Sequence, residues 1–336
     1  MKKLFILLFS FLTISAHAAS SEGGKFNPGE LITHHIADDY SWHFADGAVL
    51  YLPVILIDNG QVVSFSSSNF YNENHELVPY KGYKLDHGHI SKVNEAGEPI
   101  EGYAGMYDIS ITKNVASMFV SVALLFFVFM SIAGSYKKNA GKAPKGMQSF
   151  FEPIIIFIRD EIAKANIGPK YERYMPYLLT IFFFIWFNNL LGLMPGGANL
   201  TGNIAVTLVL AGITLVITLF SGNKNYWKHI FATPGVPMWL APIMIPVELI
   251  GILTKPFSLM MRLFANITAG HIIILSLFSL IFIFQSLAVA PISVAFAIFM
   301  FFLELLVALL QAYIFTLLSA MYFGGAVEEH HHDEAH

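Results

Sequence analysis

The sequence contains no cysteine, which removes disulfides, thiolate nucleophiles and Cys-based zinc or iron–sulfur sites together. Charge is scarce as well: Asp, Glu, Lys and Arg make up 12% of the chain, against about 25% in an average soluble protein. There is no basic surplus, because the net charge is -4, so the electrostatic footprint of a nucleic-acid partner is missing. The chemistry left is that of carboxylates, imidazoles, amides and guanidinium groups. The 336 residues would suffice for two or three soluble domains, but 55% of them are hydrophobic, and the composition is that of a membrane protein.

Residues 1–18 read as a secretory signal peptide. Met1-Lys2-Lys3 precedes an apolar run from Leu4 to Ile14, and Ala16-His17-Ala18 follows it. The run is shorter than the roughly 20 residues of a span, so cleavage is expected, with residues 19–112 lying outside the cytoplasm. That region carries turn signals at Asp58-Asn59-Gly60, Pro79, His87-Gly88 and Ala96-Gly97. Between them Ala48–Ile57 and Gln61–Phe65 are β-branched and aromatic, which predicts a hairpin closed at Asn59-Gly60 and a small β-rich region. Its histidines (His34, His35, His43, His87 and His89) have no ligand spacing, and neither metal nor other cofactor is expected.

Val115–Gly134 carries no charge, whereas the next stretch holds Lys137, Lys138, Lys142 and Lys145 and no acid; the positive-inside rule places that loop in the cytoplasm. Phe151, Ile155, Ile158 and Ile162 recur at helical spacing among Glu152, Arg159, Asp160, Glu161 and Lys164, the pattern of an amphipathic surface helix over 150–165. Tyr174–Asn223 lacks Asp, Glu, Lys and Arg altogether and is interrupted by Pro195-Gly196-Gly197, which predicts two spans and an outer turn. Lys224 and Lys228 then mark a second cytoplasmic loop. Leu240–Phe323 holds only Glu248, Lys255, Arg262 and Glu304 as charged residues, and a reversal fits only around Gln285–Pro291. Two helices much longer than the bilayer is thick must tilt or curve.

The expected fold is an all-α polytopic membrane protein with five transmembrane helices, two of them long and tilted. An amphipathic surface helix and a small β-rich periplasmic N-terminal region complete it. The spans are placed at about 115–134, 174–194, 203–222, 240–284 and 290–323, with a membrane domain over 113–323 and a cytoplasmic tail over 324–336. The tail, with His330-His331-His332, resembles either a purification tag or a natural histidine-rich end. The Phe182-Phe183-Phe184 run reads as lipid-facing and helix-packing surface.

An arginine within hydrocarbon costs roughly 2.5–3.5 kcal/mol on insertion scales and cannot shed its proton, so Arg262 calls for a partner or a function. At 100° per residue Glu248, Lys255, Arg262 and Asn266 form one stripe about 40° wide. Glu248 is about 21 Å from Arg262 along the axis, too far to pair with it. His271 is nine residues beyond Arg262, about 180° around the helix. Glu304 and Gln311 share a face of the last helix, and an acid at that depth wants an imidazole or amide neighbour; Glu304 is therefore expected to meet His271. The alternative is a Glu304–Arg262 salt bridge that merely fixes two helices. Without an acid of its own chain, Arg262 would meet its counter-charge on another chain, and a His–Glu pair on the other flank reads as a proton route.

Pro246-Val-Glu248-Leu-Ile, then Lys255-Pro256-Phe-Ser-Leu-Met-Met-Arg262-Leu-Phe-Ala-Asn266-Ile-Thr-Ala-Gly270-His271, closely resembles the arginine helix of subunit a of the F-type ATP synthase membrane sector. Glu304 followed by Gln311-Ala312-Tyr313-Ile314-Phe315 resembles its final helix. The resemblance covers roughly residues 110–323, is weaker over Thr33-His34-His35-Ile36, and is absent over much of Ala48–Gly105. It implies a non-catalytic stator subunit in the bacterial inner membrane, N-terminus periplasmic and C-terminus cytoplasmic. It would be packed against a c-subunit ring and associated with the b-subunit peripheral stalk and the remaining F1Fo complex. It further implies two half-channels for H⁺ kept apart by Arg262, with Asn266, His271, Glu304, Gln311 and Glu248 in the proton path. Whether the ion is H⁺ or Na⁺ depends largely on rotor groups. Some bacterial members carry an acid where His271 stands and a histidine where Glu304 stands; the two are exchanged here. Asn203 and Thr207, with Ala205 between them, stand where members often show an Asp or Asn cluster lining the outer channel. The competing reading is a proton-coupled secondary transporter, though inverted repeats and interrupted helices are not evident.

Overall fold

The computed structural model describes residues 29, 37–45, 48–72, 76–86, 88–94, 97–100, 103, 105–138, 141–194, 196–231, 240–284 and 289–328. The signal peptide, Thr33–Ile36, His87, Pro195, Gln285 and the histidine-rich tail lie outside these residues. The chain divides into two compact units. One takes in Met1–Val120, Leu191–Leu200 and Ile274–Ala297; the other takes in Ser121–Leu190, Thr201–Ile273 and Ile298–His336.

In the first unit the described residues of the β-rich region form seven strands: β1 (Ser41–Ala45), β2 (Ala48–Tyr51), β3 (Pro53–Asp58), β4 (Gln61–Ser66), β5 (Tyr83–Asp86), β6 (His89–Lys92) and β7 (Met106–Asp108). They make an antiparallel β1–β2 pair, a β4–β3–β7 sheet and a β5–β6 pair. The β3–β4 hairpin turns at Asn59-Gly60, both with positive φ (49° and 81°), the conformation that makes this dipeptide the favoured hairpin turn. The single run expected over Ala48–Ile57 is instead two strands in different sheets. The break falls at Leu52-Pro53, where Pro53 has no N–H for a ladder and Leu52 bonds to Tyr40 and Ser67 instead.

Alternation along β3 puts Val54 and Leu56 in a core with Tyr40, Phe65, Phe70, Tyr83, Leu85 and Ile90. Asp58 ends the same inward row, buried, and accepts hydrogen bonds from Lys92 (2.6 Å), Tyr83 (2.8 Å) and Tyr103. The Lys92 and tyrosine donors hold its carboxyl down at about 2, and burial with the Asp58 bond pushes the Tyr83 phenol up to about 12. The same unit ties this region to membrane elements. Asn114 N–H donates to the Asp38 carboxylate (3.0 Å), and the Trp42 indole donates to the Gly196 carbonyl (2.5 Å).

The helices are α1 (Lys113–Lys138), α2 (Met147–Phe157), α3 (Tyr171–Gly192), α4 (Ile204–Ser221), α5 (Lys224–Phe231), α6 (Ala241–Phe284) and α7 (Ala290–Val327). Among the described residues five segments are long and apolar enough to cross a membrane: Lys113–Lys138, Met147–Gly192, Ile204–Ser221, Pro242–Phe284 and Ala290–Val327. After α2 the chain winds through π-helical turns over Ile158–Lys164 and one more helical turn. The surface helix predicted over 150–165 is thus longer at both ends, with Phe151, Ile158 and Ile162 turned inward and Arg159, Asp160 and Lys164 paired outside.

In the second unit α3 is the hub. Its Ile181, Phe182, Phe183, Ile185 and Phe187 are buried, as befits a helix apolar all round. Phe183 packs on Phe129 of α1 (4.8 Å between centroids) and Phe151 of α2 (5.7 Å). Phe182 and Phe183 are therefore the helix-packing part of the Phe182–Phe184 run. Helices α6 and α7, with 44 and 38 residues, are about 66 and 57 Å long at 1.5 Å per residue, roughly twice the 30 Å hydrocarbon thickness.

Candidate functional site

Between Ile252 and Ile267 the buried side chains of helix α6 follow one face. Ile252, Leu259, Leu263 and Ile267 are buried and recur every four to seven residues, one stripe at 100° per residue. Glu248, Lys255, Arg262 and Asn266 follow the same period, about 75° to one side of that stripe. Lys255, Arg262 and Asn266 are exposed and Glu248 is partly so. Among the described residues Arg262 has no ion pair, and the Glu304–Arg262 bridge considered as an alternative is not formed. Lys255 stands over the Tyr322 ring at 5.4 Å.

On the other flank of the buried stripe His271 faces Glu304 of α7, with Nδ1 3.7 Å from Oε1. That is an ion-pair distance for an imidazolium and too long for a hydrogen bond. Glu304 is 3% exposed, and neither carboxylate oxygen has a hydrogen-bond partner among the described residues. The space for this carboxyl is made by Gly270, where a Cβ would stand 2.8 Å from Oε1. A buried carboxyl without bonds is costly, so this one is suited to taking up and releasing a proton with a neighbour or with water.

Further along the same face of α7, Gln311 is 3% exposed and Ala308 fully buried. Asn189 of α3 donates to the Ala308 carbonyl (3.1 Å) and accepts from the Thr201 hydroxyl (2.6 Å). Asn188, Asn189 and Thr201 are all buried. Sequence reasoning passed over these three residues and Gly270. The available signal was two adjacent amides in a stretch otherwise free of polar side chains, where each needs a partner. Asn203 and Thr207 have local work at the start of α4: Asn203 caps the helix by accepting from Ala205 N–H (2.9 Å), and the Thr207 hydroxyl donates back to the Asn203 and Ile204 carbonyls. Among the described residues no three His, Asp or Glu side chains converge as metal ligands.

A match to the ATP synthase A chain family spans residues 115–324, and a second, to a domain of unknown function (DUF8433), spans residues 31–109. "ATP synthase subunit a" of Chloroherpeton thalassium is 51% identical over 239 residues, covering 69% of this chain and 71% of its own. "ATP synthase subunit a 2" of Chlorobaculum tepidum is 41% identical over 330 residues, 96% of this chain and 79% of its own. The Myxococcus xanthus "ATP synthase subunit a" is 47% identical over 252 residues, 72% and 82% of the two chains. The Chlorobaculum relationship extends through Ala48–Gly105, where the sequence alone offered no resemblance. A family match over the polar stripe and the Glu304 helix leaves the secondary-transporter reading without support. With its five apolar helices and this span of similarity, the chain belongs to the family of ATP synthase subunit a.

Proposed function

We propose that the chain is the proton-conducting stator subunit of an F1Fo ATP synthase. The observation that carries this reading is the division of α6, with Arg262 open and in no ion pair among the described residues on one flank and His271 facing the buried Glu304 on the other. The open flank suits a ring of c subunits, each presenting a carboxylate. At 4 Å and an effective dielectric of 20 such a pair is worth about 4 kcal/mol. That favours ionisation of each arriving acid, while water and the next carboxylate compete to release it. The planar, permanently charged guanidinium serves this better than a lysine, which loses its proton when buried.

Protons reach the ring through the polar groups between α3, α6 and α7, with Asn189 and Thr201 at the inlet, then Gln311, Glu304 and His271. Asn203 and Thr207 shape the end of α4 near that inlet. Asn266, one turn from Arg262, helps orient the arriving carboxylate. Glu248 receives the proton on the outlet side. No step is catalytic toward ATP, and hydrolytic sites lie in other subunits. Lysines at 137, 138, 142, 145, 224 and 228 favour a bacterial inner-membrane orientation with those loops and the C-terminus in the cytoplasm. The β-rich region, the α3–α4 turn and the α6–α7 end of the first unit would then be periplasmic. The b-subunit stalk is a further expected neighbour.

The absence of cysteine makes the open flank testable by cross-linking. Asn266→Cys in the assembled complex should form a disulfide with a cysteine placed beside the c-subunit carboxylate. Cross-linking from Leu253→Cys, about 140° around α6 from Asn266, with none from Asn266→Cys, would overturn the reading.

A further inference from the structure

Helix α5 has no part in the path above, yet its side chains are sorted into sectors. At 100° per residue Tyr226 and Ile230 share one face; Ile230 is 3% exposed, and Tyr226 lines a small cavity with Thr214, Thr218 and Tyr322. Next around the helix come Trp227 and Phe231, 37% and 53% exposed, with rings stacked at 6.1 Å and 16°. Beside them stand Lys224 and Lys228, both exposed and, among the described residues, in no ion pair. Asn225 and His229 are exposed on the remaining side. Residues 222–231 contain no acid, and Glu248 acts electrostatically on Tyr226, on the inward face.

The level of α5 is fixed by its connections. Only Gly222-Asn223 separate it from the end of the apolar helix α4. Asn223 is pinned to the end of α7, its backbone N–H donating to the Ala326 carbonyl (2.9 Å) and its side-chain amide to the Val327 carbonyl (2.8 Å). The helix therefore lies where two membrane spans end, at the boundary between acyl chains and headgroups. Exposed aromatic rings beside flexible cations at that depth match the lipid interface: rings settle at the carbonyl level and lysines reach up to phosphates. Two ammonium groups in no ion pair among the described residues favour a headgroup with net negative charge over a zwitterionic one. We propose that Trp227 and Phe231, edged by Lys224 and Lys228, form a docking site for an anionic phospholipid.

The test places a photoreactive group at the centre of the site, as Trp227→p-benzoylphenylalanine in the intact complex. The complex is reconstituted into vesicles of equal parts phosphatidylglycerol and phosphatidylcholine, irradiated, and its adducts identified by mass. Phosphatidylglycerol adducts should outnumber phosphatidylcholine adducts roughly fivefold. Adding Lys224→Gln and Lys228→Gln should bring the two to equality, while Lys224→Arg with Lys228→Arg keeps the preference. Equal adducts with the lysines in place would overturn the proposal, as would a preference that survives the glutamine pair. An adduct to residues 232–239 or to another subunit would overturn it too.

Discussion

Glu304 and Gly270 are in contact across two helices: the carboxyl of α7 fills the space where a side chain on α6 would begin, 2.8 Å from a Cβ built there. His271, the next residue, then faces the same carboxyl at 3.7 Å. A methyl group at 270 has to push Glu304 off its position, and an off-rotamer side chain costs about 0.5–1.5 kcal/mol. Gly270→Ala should lower passive proton conductance of membrane sectors stripped of their soluble part roughly two- to tenfold, followed with a pH-sensitive dye. Unchanged conductance would show that the position of Glu304 is not rate-determining.

His271→Glu alone would bring two acids together, and Glu304→His alone two imidazoles. Exchanging both restores one of each. The double exchange should retain more ATP-driven proton pumping than either single change. A double variant no better than the singles would count against direct proton exchange between them.

Asn189 is the only described link from Thr201 to the Ala308 carbonyl. Asn189→Leu leaves that buried hydroxyl without its partner and the inlet without its amide, at a cost of about 1–3 kcal/mol per unsatisfied group. Conductance should drop while Arg262-dependent coupling in the residual flux is kept. A conductance equal to wild type in a variant of normal stability would remove Asn189 from the path.

The Asp58 cluster predicts an acid limit for the β-rich region. Its carboxyl is held near 2 in the folded chain and near 3.9 in an unfolded one. The stabilisation is therefore complete above about pH 4 and lost as pH falls toward 2. Protection factors of the β3 and β4 amides in the full chain, which are exchange rates divided by the intrinsic rate at each pH, should be steady near neutrality and fall through that window. Asp58→Asn should exchange faster at neutral pH and show a flatter acid response. An unaltered acid response in Asp58→Asn would place the sensitivity elsewhere.

The helices were legible because lipid demands long uncharged runs, and the four charged residues of Leu240–Phe323 stood out against them. The opposition of Arg262 and His271 followed from nine residues at 100° each, and the neighbouring Glu304 from the need of a buried acid for company. What stayed hidden depends on contacts between segments far apart in sequence. Pro53 splits a strand because Leu52 bonds to Tyr40 and Ser67 rather than to a ladder. Gly270 matters only because Glu304, 34 positions on, arrives beside it. The cap that Asn203 makes on α4 is by contrast local, a role that Asn before a helix commonly has.

The action of Arg262 on carboxylates brought by another chain is the core of the proposed function. It is tested most directly by proton-driven ATP synthesis in reconstituted vesicles bearing Arg262→Ala, with sodium absent and wild-type complex in parallel. Synthesis should be abolished while ATP hydrolysis by the soluble sector persists. Synthesis at the wild-type rate would contradict that role.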